Sequence, residues 1–228
     1  MNYFAKGLKN GIPIGLGYFA VAFSFGIMAV RAGLGADEAV LISLTNLTSA
    51  GQAAGVDVIS EHGSLAEMAL VQFVINIRYA LMAISLSQKT AESFTVPCRL
   101  LGAHFITDEI FAVCYSVEGK LVPRFMYGVA AVAVSGWTLG TLFGATMGQV
   151  LPSDITAALG VMLYGMFIAI IIPPSKKKRD VLFSVVLAAV LNIILRKLPF
   201  VSSGLSVILS AVLSAGVTVF VFKGEGEK

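Results

Sequence analysis

The chain is short of charge. Asp, Glu, Lys and Arg make up only 13% of its 228 residues, about half the share found in soluble domains. With 57% hydrophobic residues and a mean hydropathy of +0.88, this excludes an ordinary soluble globule and predicts one polytopic membrane unit over residues 1–228. The net charge of +3 is no nucleic-acid footprint, because the basic residues sit in short loops where they set orientation. Cysteine is nearly absent. Cys98 and Cys114 form no CxxC and have no metal-ligand pattern around them, so two ordinary thiols are expected, without a disulfide or a metal. The two histidines, His62 and His104, lie in different segments. No HExxH, GxSG or GxGD arrangement occurs, and no phosphate-binding loop, so an enzyme is the least expected class and no cofactor is expected. Low-complexity tracts and an extended soluble domain are lacking as well.

What the chain does have is apolar runs. They predict an all-α polytopic helical bundle in a membrane, with about eight spans and some helices broken at Gly or Pro. Span 1 covers 12–30. Lys6 and Lys9 precede it, and Ala20-Val21-Ala22 imitates a cleavage site, but with so many spans downstream an uncleaved first helix is expected. Gly7, Gly11 and Gly15 recur every fourth residue around Pro13, which fits either a bend or close helix packing. Span 5 (125–150) carries Gly136, Gly140, Gly144 and Gly148 at the same spacing, a packing stripe, with Trp137 and Gln149 expected near interfaces. Span 6 (155–172) ends at Pro173-Pro174 and is followed by Lys176 to Arg179, read as a topogenic signal. Span 7 (181–195) is short, and seven spans result if it fails to cross. Span 8 (201–222) has Ser203, Ser206, Ser210 and Ser214 at helical spacing, for packing against a neighbour. With both termini cytoplasmic, inside segments hold ten Lys and Arg residues and outside segments five. The glycine stripes of spans 1 and 5, and Asn76-Ile-Arg78 beside Asn192 and Arg196, hint at an internal repeat.

Two stretches are too polar for a membrane interior. Span 2 (39–60) contains Thr45, Asn46, Thr48, Ser49 and Gln52, with Gly51 and Gly55 placed to allow an unwound stretch. Uncharged hydrogen-bonding groups of this kind suit the amino and carboxylate ends of a zwitterion, and broken helices form midplane sites in transporters. The competing reading is polar glue between helices. Span 4 (100–117) carries His104, Asp108 and Glu109 mid-run, where carboxylates are costly and are functional candidates. Asp108 and Glu109 diverge by about 100° on a helix. His104 and Asp108, four apart, are expected to share a face. In span 3 (65–86), Gln72, Asn76 and Arg78 interrupt the apolar run; Arg78 either snorkels or pairs with Asp108 or Glu109.

The ordered set of blocks resembles the AzlC/YgaZ family, the large subunit of branched-chain amino acid exporters. It comprises Gly11 to Gly26 (GIPIGLGYFAVAFSFG), Ser49 to Gln52, Asn76-Ile77-Arg78 with Leu81 and Ser85, Phe105 to Glu109 with Phe111-Ala112, and Gly136 to Gly140. Tyr79 departs from the pattern, since relatives often have His after the Arg. The resemblance implies a permease of a bacterial or archaeal cytoplasmic (inner) membrane that exports leucine, isoleucine and valine, with methionine as a further candidate, coupled to the proton gradient. It also implies a small membrane partner subunit of the AzlD/YgaH type.

On this reading Thr45, Asn46, Ser49, Gln52 and Asn76 are the candidate substrate-binding residues. Asp108, Glu109, Arg78 and His104 are the candidate proton-coupling residues. The span 1 aromatics Tyr18, Phe19, Phe23 and Phe25 either line an apolar pocket or face lipid. Burial favours the neutral carboxyl and a nearby guanidinium the ionised one, so movement of Arg78 would load or release a proton. Two other classes compete: a subunit that forms a pathway only with its partner, and a passive amino acid channel.

Overall fold

The computed structural model describes residues 2–148, 154, 165, 168, 171–172 and 175–222. Among them are nine helices and no strand. They are α1 (Tyr3–Arg31), α2 (Ala36–Thr45), α3 (Ser49–Ser60), α4 (Leu65–Lys89), α5 (Val96–His104), α6 (Asp108–Tyr115), α7 (Pro123–Met147), α8 (Arg179–Leu195) and α9 (Ser203–Val221). The protein is thus an all-α helical bundle of the membrane type. Four described helices, α1, α4, α7 and residues Gly204–Val221 of α9, are long and apolar enough to cross a membrane. Their exposed faces carry large apolar side chains such as Leu16, Leu81 and Phe220, which lipid tolerates. Helix α8, at 17 residues, rises about 26 Å, just under the hydrocarbon thickness. Span 6, Pro173-Pro174 and Gln149 fall wholly or mostly outside the described residues.

The chain divides into two compact units. The first holds Met1–Gln52 and Asn76–Leu163; the second holds Ala53–Ile75 and Tyr164–Lys228.

The first unit is built on α1 and α7, which run parallel. Gly7 lies against Gly128, Gly15 against Gly136, and Phe19 and Phe23 against Gly140 and Gly144. A Cβ at Gly11 would stand 2.8 Å from the Val129 carbonyl oxygen, and one at Gly136 would run into the Gly15 carbonyl. The stripes are therefore backbone-on-backbone packing. Pro13 sits within a continuous α1, so the chain does not break there and the glycines serve close packing. Helix α1 ends in a Schellman turn. Gly33 takes φ +91°, and the Leu34 and Gly33 amides donate to the Ala29 and Val30 carbonyls at 3.1 and 3.0 Å.

Both polar spans break. Span 2 separates into α2 and α3 around Asn46-Leu47-Thr48; Gly51 and Gly55 lie inside α3 rather than at the break. Span 4, expected as one helix, separates into α5 and α6 around Phe105-Ile106-Thr107. Thr107 caps α6, its Oγ1 accepting the Ile110 amide at 3.4 Å, with Asp108 and Glu109 in the first turn. Hydroxyl cap plus acidic first turn is a standard helix start, and it stops the run that hydropathy alone would continue.

In the second unit α8 and α9 form a hairpin. Asn192 Nδ2 donates to Ser206 Oγ and Ser210 Oγ at 3.2 and 3.5 Å, and Ser206, Ser210 and Ser214 are buried, as the serine spacing predicts. Glu67 accepts from the Ser202 hydroxyl at the start of α9, and Arg196 pairs with Glu61 at 3.9 Å.

Candidate functional site

The polar residues of the first unit gather at the two helix breaks and on the faces of α1 and α7 beside them. Arg78 of α4 pairs with Asp108 of α6, Nη2 to Oδ2 at 3.1 Å, with side-chain exposures of 36% and 28%. The same nitrogen donates to the Tyr79 hydroxyl at 3.1 Å, and the guanidinium stands 4.9 Å from that ring's centroid. Tyr79, where the resemblance leads one to expect His, thus supplies a neutral partner to Arg78.

Glu109 faces elsewhere, as the divergence of neighbouring helical positions requires. Its Oε2 is hydrogen-bonded to the Tyr18 hydroxyl of α1. That hydroxyl also lies 2.6 Å from Thr107 Oγ1. Tyr18 is 8% exposed and Thr107 3%. Two adjacent carboxylates therefore have different company: a cation for one, hydroxyls for the other.

Behind Tyr18 runs a second polar chain. The Tyr18 ring meets Trp137 edge-on, with centroids 5.1 Å apart. Trp137 Nε1 donates to Gln52 Oε1 at 2.9 Å, Gln52 Nε2 donates to Ser43 Oγ at 3.0 Å, and Ser43 Oγ lies 2.6 Å from Thr141 Oγ1. Gln52 is 1% exposed and Trp137 2%. Trp137, expected near an interface, is therefore a core residue of the first unit.

The other candidates are placed as follows. The Thr45 hydroxyl turns back to the Leu41 carbonyl at 2.8 Å and is exposed. Asn46 lies in the α2–α3 break, its Oδ1 accepting from Thr48 Oγ1 at 3.1 Å. Ser49 opens α3, half-buried, and Asn76 lies two residues before Arg78, also half-buried. His104 does not share a helical face with Asp108, because the helix stops between them. Its Nε2 lies 3.1 Å from the Leu44 carbonyl oxygen, one of the α2 carbonyls that has no partner within its own helix. That contact ties the end of α5 to the end of α2. Of the span 1 aromatics, Tyr18, Phe23 and Phe25 are buried while Phe19 is 37% exposed, and the Phe19 and Phe23 rings stand 6.4 Å apart, on one face of α1.

The structure thus brings together Arg78 with Asp108, Glu109 with Tyr18 and Thr107, and Gln52 with Trp137 and Ser43. Tyr18 as a hydrogen-bonding group, Thr107, Ser43 and Thr141 were not legible as site residues from the sequence. Thr107 alone left a local trace, as a capping hydroxyl ahead of two acids. No cluster of three potential metal ligands occurs among the described residues.

A family model described as AzlC protein matches residues 13–151. An uncharacterized membrane protein of Archaeoglobus fulgidus is 31% identical over 175 residues, 76% of each chain. The inner membrane protein YgaZ of Escherichia coli K12 is 29% identical over 198 residues, 82% of this chain and 80% of its own. A membrane protein of Helicobacter pylori 26695 is 26% identical over 185 residues, 78% of this chain and 79% of its own. No solved structure matches. The matched segment runs from Pro13 through both helix breaks to the end of α7 and takes in most of the first unit, so the chain is a membrane protein of the AzlC family.

Proposed function

We propose that this protein is a secondary transporter that exports branched-chain amino acids, leucine, isoleucine and valine with methionine as a wider substrate, driven by the proton gradient. One observation carries the reading: an acid-bearing helix breaks beside an arginine and a buried tyrosine, in a chain of the AzlC family. Irregular backbone at membrane depth is tolerated where it lines a cavity or is covered by protein, and ionisable groups there mark ion or substrate pathways. The zwitterionic end of the substrate would meet the hydroxyl and amide groups of Thr45, Asn46, Ser49 and Asn76, with Gln52 holding the α2–α3 break against Trp137. Arg78, Asp108 and Glu109 form the coupling group, and His104 holds the two breaks together. In this reading both termini face the cytoplasm, and a small AzlD/YgaH-type membrane subunit completes the exporter.

The test is leucine efflux from proteoliposomes with and without an imposed pH gradient. Uphill leucine movement that follows the gradient supports a proton-coupled exporter. Saturable movement that ignores the gradient refutes the coupling, and flux that cannot run uphill marks a passive channel. Movement seen only when the small subunit is co-reconstituted makes the chain an obligate subunit.

A further inference from the structure

Asp108 and Glu109 are neighbours in sequence, both half-buried, both in the first turn of α6. They differ in their partners. Asp108 faces Arg78, a group that is always charged and can only donate hydrogen bonds. Such a partner suits a carboxylate and has nothing to offer a carboxylic acid. Glu109 faces the Tyr18 hydroxyl, which in turn faces the Thr107 hydroxyl. Among the described residues Glu109 makes no ion pair. A hydroxyl donates or accepts with equal ease, so this partner set is complete for either protonation state.

We propose that Glu109, and not Asp108, is the carboxyl that takes up and releases the proton. Tyr18 and Thr107 are positioning residues that carry its state to the α5–α6 break. The assignment rests on the proton-coupled reading above and gives it a carrier. With Glu109 ionised, donors run in one direction: Thr107 O–H to the Tyr18 oxygen, and Tyr18 O–H to the carboxylate. When a proton from water on one side adds to Glu109, its new O–H donates to the Tyr18 oxygen. Tyr18 O–H then swings to Thr107 Oγ1, and the Thr107 proton must leave that axis. No proton passes along the chain; only the hydroxyls rotate. The proton later returns to water on the other side. Thr107 Oγ1 is also the acceptor that caps α6 through the Ile110 amide, so loading Glu109 changes the demand on the atom that starts the helix. Other titratable groups surround the pair. Tyr79 of α4 lies within electrostatic range of both carboxyls, and Arg78 is held on Asp108. Helix α7 meets Tyr18 through Trp137, which does not titrate; its Arg124 and Tyr127 lie at the Gly7 end of the α1–α7 seam, about 16 Å along the helix from Tyr18.

Two readouts on the full-length protein in liposomes test this. The first is pH-difference infrared spectroscopy of the carboxylic C=O band; the second is the pH profile of leucine efflux. The band is expected to titrate in the unaltered chain and in Arg78→Gln/Asp108→Asn, which removes the ion pair as a unit so that no charge is stranded. One component of it, seen against the other acidic side chains of the protein, is expected to be lost in Glu109→Gln, which should also lose gradient-driven export. Tyr18→Phe removes a hydrogen bond that both states can make but that is stronger to the carboxylate, where it is charge-assisted, so the midpoint of both readouts should move up by about one pH unit. A band unchanged in Glu109→Gln that loses a component with the Asp108 change overturns the assignment. An unshifted midpoint in Tyr18→Phe overturns the positioning role. A band that behaves as expected beside leucine movement indifferent to pH leaves the assignment standing and overturns the coupled-export reading instead.

Discussion

Replacing Gln52 by Leu should cost stability before it costs substrate affinity. Trp137 Nε1–H, which can only donate, would lose its acceptor at a residue 2% exposed, a penalty of about 1–3 kcal/mol. The lost Gln52–Ser43 bond adds about 1 kcal/mol. Ser43 keeps Thr141 as a partner at 2.6 Å, so the damage stops there. The total, roughly 2–4 kcal/mol, corresponds to a fall of roughly 5–15 °C in Tm for a chain of this size. Trp137→Phe strands the Gln52 carbonyl in the same way. The double variant Gln52→Leu/Trp137→Phe strands neither, so it should recover about 1–3 kcal/mol relative to the sum of the single losses. The assay is thermal unfolding of detergent-purified protein, read by retention of the monodisperse chromatographic peak. Additive losses would refute the buried bond. An unchanged Tm with a raised half-saturation for leucine would instead make Gln52 a residue that touches substrate.

Three further outcomes follow from the packing. Gly136→Val sets side-chain atoms against the Gly15 backbone and should cost about 3 kcal/mol or more, seen as loss of folded protein in the membrane fraction; wild-type yield and Tm would refute the seam. His104→Ala leaves the Leu44 carbonyl without its side-chain partner, a loss of about 1–3 kcal/mol or roughly 2–12 °C in Tm, and an imposed pH gradient should still drive efflux. A folded His104→Ala protein that has lost the gradient response would put the imidazole in the proton path. Asn192→Ala removes the donor to Ser206 and Ser210; because Ser210 retains the Val207 carbonyl, the loss should be about 1 kcal/mol, measured as a small drop in Tm.

How much was legible depended on whether the signal was local. Length and hydropathy locate α1, α4, α7 and α9, because a membrane crossing is an uninterrupted apolar run. Glycine spacing announces the α1 and α7 faces, since a fourfold stripe has few other uses. A pairing of Arg78 with one of the two acids was open to charge economy, beside snorkelling, because a chain with so few charges gives a mid-span cation few partners. That the partner is Asp108 and not Glu109 was not legible. The α5–α6 break was hidden, because Phe105 and Ile106 keep the hydropathy high while the decisive residue, Thr107, acts through its cap. Trp137 was placed at an interface by the usual habit of tryptophan. Its true partner, Gln52, is 85 residues away, beyond any local pattern. The Tyr18–Glu109 contact, spanning 91 residues, was hidden for the same reason.

The parallel seam between α1 and α7 has a consequence for how the protein is made. Gly7 meets Gly128 and Gly15 meets Gly136, so each contact waits for a segment made more than a hundred residues later. At about 5–20 residues per second of synthesis, the first helix spends several seconds in the bilayer with its glycine face open before its mate arrives. During that interval lipid, the insertion machinery or another small-faced helix must cover the stripe. Ribosome-stalled chains ending before Pro123 should therefore show α1 crosslinking to such neighbours from Gly11 positions, and chains extended past Met147 should show those crosslinks replaced by α7.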